Sequence, residues 1–450
     1  MSRAARSRWL PIVVLGAVLS LDSADRSTLS AVEAQLEPTL RISSTSFGFI
    51  AAVTPLVGLV VALPIGVLVD RVVRTRLLAA CTAVWVVGEV VDAVAPSYAV
   101  LLVGRAALGA VLASVPAVTS LVGDLFAPER RARSYGAILA GELVGTAVGF
   151  LGTGALGAAL GASWGFGALA VLGAVVSVGV WYLPEPARGG GRQDTATTGE
   201  PGAASGSLAA QLRRRGVRPT PSAVLPADPA DLPVRAVLRY VLRVRTNLVL
   251  IAASSLSYLF LAGVQTFAVR FGTDQFGLGG LGATLVLVGL GVCAVAGVLT
   301  TGRIADRLAG RGRVDARVVV GAGTLLVALA CFLPGTLVRD LGVALPLLLL
   351  GAVALGGANP PIDAARLDVL HHHAWGRGEA VRSVVRLVAY AVAPVLTGAL
   401  IGVVGTGPAF AVLTAALALA GGFLLLAVRT YPGDVAAAVA TPAPSGVPDE

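Results

Sequence analysis

Gly66-Val-Leu-Val-Asp70-Arg71-Val-Val-Arg74-Thr-Arg76 closes one long apolar run, and Gly302-Arg-Ile-Ala-Asp306-Arg307-Leu-Ala-Gly-Arg311 closes another. The same G-x-x-x-D-R device at the foot of two apolar stretches marks a chain built twice over. A second pair agrees in register: Asp124 precedes Pro128-Glu-Arg-Arg131-Ala-Arg133, and Asp368 precedes Arg377-Gly-Glu-Ala-Val-Arg382. Around these marks the apolar runs are about 20 residues long, enough to carry a helix across a roughly 30 Å hydrocarbon core. The 450 residues are 56% hydrophobic and only 13% charged, with mean hydropathy +0.84, a composition that excludes a soluble enzyme. The alternation of an outer-membrane barrel is missing. The expected fold is an all-α polytopic membrane protein, with about twelve transmembrane helices in two pseudosymmetric bundles of about six. Residues 1–183 form the first bundle and 246–430 the second. Between them 184–245, rich in Gly, Ser, Thr and Pro, reads as a mostly disordered cytoplasmic linker, and 431–450 as a disordered tail.

All 34 basic residues are Arg and the formal charge is +9, yet the arginines punctuate the gaps between apolar runs instead of forming one soluble face. That pattern argues for membrane topology and against a nucleic-acid partner. With both termini cytoplasmic, Arg41, Arg270 and Arg339 face outward, Arg26 and Arg105 lie within spans, and the other arginines gather inside. The first apolar run continues into Leu21-Asp22-Ser-Ala-Asp25-Arg26 without a small-residue cleavage site, so it is expected to stay as a span. Arg235, Arg239 and Arg243 recur every fourth residue beside Val237, Leu238 and Val241, the pattern of an interfacial helix on anionic headgroups. Cys81, Cys293 and Cys331 fall inside apolar runs, and His371, His372 and His373 read as a solvated loop. With no metal-ligand spacing and no Walker loop, neither a cofactor nor an enzymatic activity is expected.

Charges inside the spans are the candidate site, because one such residue costs about 2.5–3.5 kcal/mol to insert. Asp22, Asp25 and Arg26 share one helical face, and Asp25 and Arg105 lie at comparable depth. They can pair across a central cavity, either for structure alone or to bind substrate and exchange protons. Glu142 is a second intramembrane acid, set in a ladder of Gly141, Gly145 and Gly149 that should pack tightly on a neighbouring helix. Glu89 and Asp92, near the outer end of the third span, read as interfacial. In the second half Ser254, Ser257, Tyr258 and Gln265, with Asn359 and Asp363 beside Pro360-Pro361, are the polar groups able to line a cavity.

These motifs resemble the major facilitator superfamily, whose G-x-L-x-D-R-x-x-R loop is met by Gly66, Leu68, Asp70, Arg71 and Arg74. Within it the first half is similar to the Spinster branch, through Leu21-Asp22-Ser-Ala-Asp25-Arg26, Gly104-Arg105-Ala-Ala-Leu-Gly109, Asp124-Leu-Phe, Arg131-Ala-Arg133-Ser and Gly145-Thr-Ala-Val-Gly149-Phe. The resemblance implies a bacterial inner-membrane secondary transporter, acting as a monomer by alternating access on a small-molecule or lipid-like substrate, with protons as possible partners. It implies a conformational latch of Asp70, Arg74 and Asp124, with Arg131, repeated by Gly302, Asp306 and Arg307. One departure stands out: Leu112 occupies the place of the branch's fourth-span glutamate, which is tied to proton coupling. Glu142 or Asp25 can substitute for it. An uncoupled facilitator and a non-transporting receptor remain the alternatives.

Overall fold

In lipid the backbone's polar groups have only one another as partners, so the apolar runs fold as helices. The computed structural model describes residues 3–113, 117–118, 121–122, 125, 138, 141–142, 144–186, 216–225, 229, 232–311, 313–371 and 374–440. The first half contributes α1 (Arg3–Leu40), α2 (Ser44–Arg71), α3 (Arg74–Ala93), α4 (Tyr98–Ala113), α5 (Val144–Leu160, with a π-helical turn at Val148–Gly154) and α6 (Ala162–Trp181). After α7 (Val234–Arg243) come α8 (Arg245–Phe276), α9 (Gly280–Gly310), α10 (Ala316–Leu337), α11 (Leu341–Gly356), α12 (Asn359–Val369), α13 (Trp375–Val404) and α14 (Thr406–Ala440). Among the described residues eight stretches are long and apolar enough to cross a membrane by length and composition, α11 and α12 counting as one; α4 and α5 hold shorter apolar segments. α1 and α3 are the remaining expected spans, their hydropathy lowered by Asp22, Asp25, Arg26 and Glu33 in one and Glu89 and Asp92 in the other.

The tenth span breaks where the prolines stand. α11 ends at Gly356 and α12 restarts at Asn359 with proline in its first turn, where a missing N–H is harmless. The carbonyl of Gly357 freed by the break accepts from Thr301 Oγ1 at 2.7 Å.

The chain forms two compact units. The first comprises Met1–Gly199, Ala262–Val288 and Tyr390–Ala409, the second Glu200–Leu261, Gly289–Ala389 and Phe410–Glu450. The division differs from the expected halves, because the C-terminal part of α8, the start of α9 and the C-terminal part of α13 pack with α1, α2 and α5. Phe267, where α8 kinks, sets its ring edge-on to Phe47 at 5.6 Å, and Val269 and Ala283 cluster with Phe150. In the first unit the glycine ladder packs on α1: Cβ atoms at 141, 145 and 149 would lie 2.2, 2.2 and 2.3 Å from the carbonyls of Gly16, Ser20 and Ala24. Only glycine lets the two backbones approach so closely.

In the second unit α14 continues past the expected end near Val428. Tyr431, Val435 and Ala437 are buried, Thr246 N–H donates to Asp434 at 3.1 Å, and Thr220 N–H to the Gly433 carbonyl at 3.0 Å. Residues 431–440 are therefore helix and not a loose tail, and part of the linker, 216–225, is folded against them; 441–450 lie outside the described residues. The helix expected around Arg235–Arg243 exists as α7. It buries Val237, Tyr240 and Val241 against the protein and turns Arg235, Arg239, Arg243, Leu238 and Leu242 outward.

Candidate functional site

The site is built on three helices of the first unit. Arg105 of α4 is 1% exposed, and its Nη1 donates to Asp25 Oδ1 of α1 at 2.6 Å. Its Nε lies 2.9 Å from Asp92 Oδ2 of α3, off the N–H axis, so that attraction is ionic. The guanidinium also stacks on the Phe166 ring of α6, 4.9 Å from its centroid. Asp92 reaches Arg105 because residue 104 has no side chain: a Cβ there would lie 2.0 Å from Asp92 Oδ1. Glu89, one turn earlier on the same face of α3, is 0% exposed. Glu89 and Asp92 are thus core residues of the site and not interfacial, a correction to the sequence reading. Their i, i+3 spacing in an apolar helix was the available signal, and their nearness to the span's end masked it.

Asp25, Arg26 and Arg105 line a cleft that opens to the outside of the unit. Ser30, Thr54, Gln265 and Thr266 add polar groups, and Leu29, Pro55, Ala262, Tyr390 and Pro394 the apolar wall. Arg26 is held by Asp22 one turn away and lies over the Tyr390 ring, 4.9 Å from its centroid. Glu142 is exposed and near enough to act electrostatically on Arg26.

One end of this unit, opposite the junction of α2 and α3, is closed by a clamp that sequence reasoning missed. Arg270 of α8 donates from Nη1 to Glu33 at 3.1 Å and Glu37 at 2.8 Å on α1, and to Ser44 Oγ at 2.7 Å on α2. Beside it α2 and α13 cross backbone on backbone: a Cβ at Gly48 would meet the Pro394 carbonyl at 2.2 Å, and one at Gly398 the Ser44 carbonyl at 2.2 Å. At the α2–α3 end Glu185, just past α6, accepts from Arg74 Nε and from the Thr75 N–H, both at 2.9 Å. Burial opposes the charge on Glu185, but these donors at a helix N-terminus outweigh it and hold the carboxyl below the usual range. Asp124 and Arg131 lie outside the described residues, as do the side chains of Asp70 and Arg71, so of the charged residues expected in the first-half latch only Arg74 is on view.

In the second unit the corresponding loop carries an ion-pair network. Arg317, at the start of α10, bonds Asp368 Oδ1 at 2.6 Å and Asp306 Oδ1 at 3.2 Å, and Tyr431 donates to Asp368. Gly302 and Arg307 frame Asp306 without joining these bonds; Asp368 is the residue the sequence pairs in register with Asp124, and the missed residues are Arg317 and Tyr431. Of the second-half candidates in this unit, Asn359 accepts from Ser254 Oγ at 3.1 Å, and Tyr258 lies under Arg386. Asp363 pairs with Arg382 at 3.0 Å and with Arg366 at 3.6 Å, and both arginines also hold Glu379. Of this second-half set, Gln265 alone lines the cleft of the first unit. His371 is buried, its N–H donating to Tyr240 Oη at 3.3 Å, while 372 and 373 lie outside the described residues.

Solved structures share the fold. A bacterial homolog to the human lysosomal transporter Spinster, inward-facing and unoccupied, superposes with TM-score 0.75 at 17% identity over 96% of this chain and 99% of that one. Its occupied form gives 0.76 at 17%, with the same coverage of 96% and 99%. The nucleoside transporter NupG gives 0.64 at 11% identity, covering 93% of this chain and 98% of its own. No curated protein sequence matches the chain. A family model for the Major Facilitator Superfamily matches residues 15–374. With four-fifths of its length matched, the all-helical fold in common and the D-R loop in both halves, the chain belongs to the Major Facilitator Superfamily.

Proposed function

We propose that the protein is a proton-coupled secondary transporter that moves a small organic or amphipathic solute across the cytoplasmic membrane by alternating access. That it is a multi-pass membrane transporter follows from its family; coupling, cargo class and orientation are inferred. The observation that carries the reading is the cleft lined by Asp25 on Arg105 together with Leu29, Pro55, Tyr390 and Pro394. Such a lining suits a solute with a charged or polar head and an apolar body. A carboxylate whose ion pair faces the cleft can release its cation when it takes a proton, linking proton and solute occupancy in one place. The arginines gathered at the α2–α3 end support a cytoplasmic location for that end, by the bias of basic residues to the inner side of the membrane.

The test is counterflow in proteoliposomes with four probes: lysophosphatidylethanolamine, sphingosine, uridine and glucose. Flux of one probe, accelerated by an imposed pH gradient, is the expected result. Flux that ignores the gradient replaces coupling by an uncoupled facilitator, and binding without flux replaces transport by reception. Arg105→Gln should abolish accumulation, because breaking a buried pair costs about 3–5 kcal/mol, while Asp25→Asn with Arg105→Gln should recover part of the binding.

A further inference from the structure

Building on the transport reading above, we propose that Arg386 of α13, with the Tyr258 ring of α8 against it, is the binding site for one carboxylate or phosphate group on the transported solute. Arg386 stands nine residues into the apolar stretch Arg377–Val404, roughly 13 Å along the helix axis at 1.5 Å per residue. A guanidinium at that depth is costly to hold without an anion. Among the described residues it makes no hydrogen bond and no ion pair; its contact is with Tyr258, whose ring centroid lies 5.5 Å from Cζ.

The carboxylates that could neutralise it are already committed. Arg382, one turn earlier on α13, pairs with Asp363 at 3.0 Å and with Glu379 at 2.9 Å. Arg366 of α12, 3% exposed, takes the same two acids at 3.6 and 3.1 Å. Three guanidiniums therefore stand against two carboxylates, and the cation left over is Arg386, a turn further into the span than Arg382. The intramembrane arginines of the first unit differ, since Arg26 is held by Asp22 and Arg105 by Asp25 and Asp92. One positive charge without a partner suits a monoanion, and the planar fork of N–H donors suits the paired oxygens of a carboxylate or phosphate.

The side from which an anion arrives follows from the helix faces. Val384 and Val388, 48% and 43% exposed, form an apolar stripe about 160° round α13 from Arg386. Arg386 and Tyr258 are both half-buried, and Ser254, one turn before Tyr258 on the same face of α8, donates from Oγ to Asn359 at 3.1 Å. An anion thus meets Arg386 on the polar side of α13 and not on the side of the apolar stripe.

The test uses the full chain in phosphatidylcholine nanodiscs at mildly alkaline pH, with binding of radiolabelled decanoate measured by scintillation proximity against empty discs. Unlabelled decanoate should displace the label about ten- to hundredfold more strongly than decanol or decylamine, the range of one hydrogen-bonded charge. Arg386→Gln should weaken decanoate by a similar factor and bring it level with decanol, while Arg386→Lys should retain part of the preference. Equal displacement by the three head groups in the wild type overturns the proposal, whether or not the variants fold. An Arg386→Gln protein that still prefers the anion overturns it too. Phosphatidylglycerol retained in native mass spectra by the wild type and not by Arg386→Gln would give the site to a bilayer lipid and overturn its assignment to a solute. A preference tied to Arg386 with no counterflow of decanoate or of the four probes leaves the anion site standing and removes the transport reading. Flux of a probe through a protein indifferent to head-group charge does the reverse.

Discussion

Arg270→Ala should open the end of the first unit that the clamp closes. Arg270 is about one-quarter exposed, Glu37 one-fifth, and Glu33 only 2%. The 3.4 Å contact with Asp274 lies within one helix and is half exposed, so it contributes nothing measurable. The Glu37 pair is a surface pair worth up to about 1 kcal/mol. Glu33 dominates: stripped of its cation it stays buried in the closed form and is hydrated in the open one, a difference of about 1–2 kcal/mol for an unsatisfied polar group. The closed form should lose about 2–3 kcal/mol, which multiplies the open-to-closed ratio about 30- to 150-fold. The reporter is Ser30→Cys, a buried cleft residue whose Oγ has no partner, in a background without Cys81, Cys293 and Cys331. Labelling by a membrane-impermeant maleimide, used at a concentration where it is slow relative to opening and closing, should accelerate by that factor in Arg270→Ala, and high salt should produce part of the effect in the parent. A rate within about two-fold of the parent would show that the clamp does not hold the end shut and that apolar packing does.

Gly145→Val should cost the folded state dearly, since a Cβ there would lie 2.2 Å from the Ser20 carbonyl, whereas Gly167→Ala meets nothing within 4 Å and should be neutral; melting of the purified proteins compares them. Arg317→Gln should lower melting by the equivalent of about 1–3 kcal/mol through the orphaned Asp368, while Asp306→Asn, at a partner 67% exposed, should change little. The Glu185 carboxyl is depressed below its ordinary 4.5, so its stabilisation is complete above that pH and disappears as pH falls through the folded value. Melting of wild type and Glu185→Gln should differ at pH 7 and converge in acid; a gap that does not change with pH would refute the carboxylate's role.

Much of this was legible in one dimension. The D-R repeat announces the duplicated chain, the four-residue glycine spacing announces a backbone contact that proves to be with α1, and equal depth brings Asp25 to Arg105. What was not legible depends on how helices meet. Hydropathy places Glu89 and Asp92 near a span's end, but only the bare Gly104 backbone beneath Asp92 shows that this end is interior. The run after Val428 is small and alanine-rich, too weak a signal to extend a span, and it becomes helix because a folded piece of the linker covers it. Arg270 reads as one more surface charge until its three partners, from α1 and α2, are drawn in. In each case local composition was correct and tertiary contact changed its meaning.

The crossing of α2 and α13 at Gly48 and Gly398 is a latch made of absences. At these two glycines backbone lies directly on backbone, so there the helices can part and reseat without moving a side chain out of the way. The same flatness makes the junction intolerant of thickness: the width of one methyl group, from a mutation or a small hydrophobic molecule lodged there, would act as a wedge and hold the end ajar. An inhibitor of this protein need not occupy the polar cleft at all, because a doorstop at the crossing would arrest the cycle from outside it.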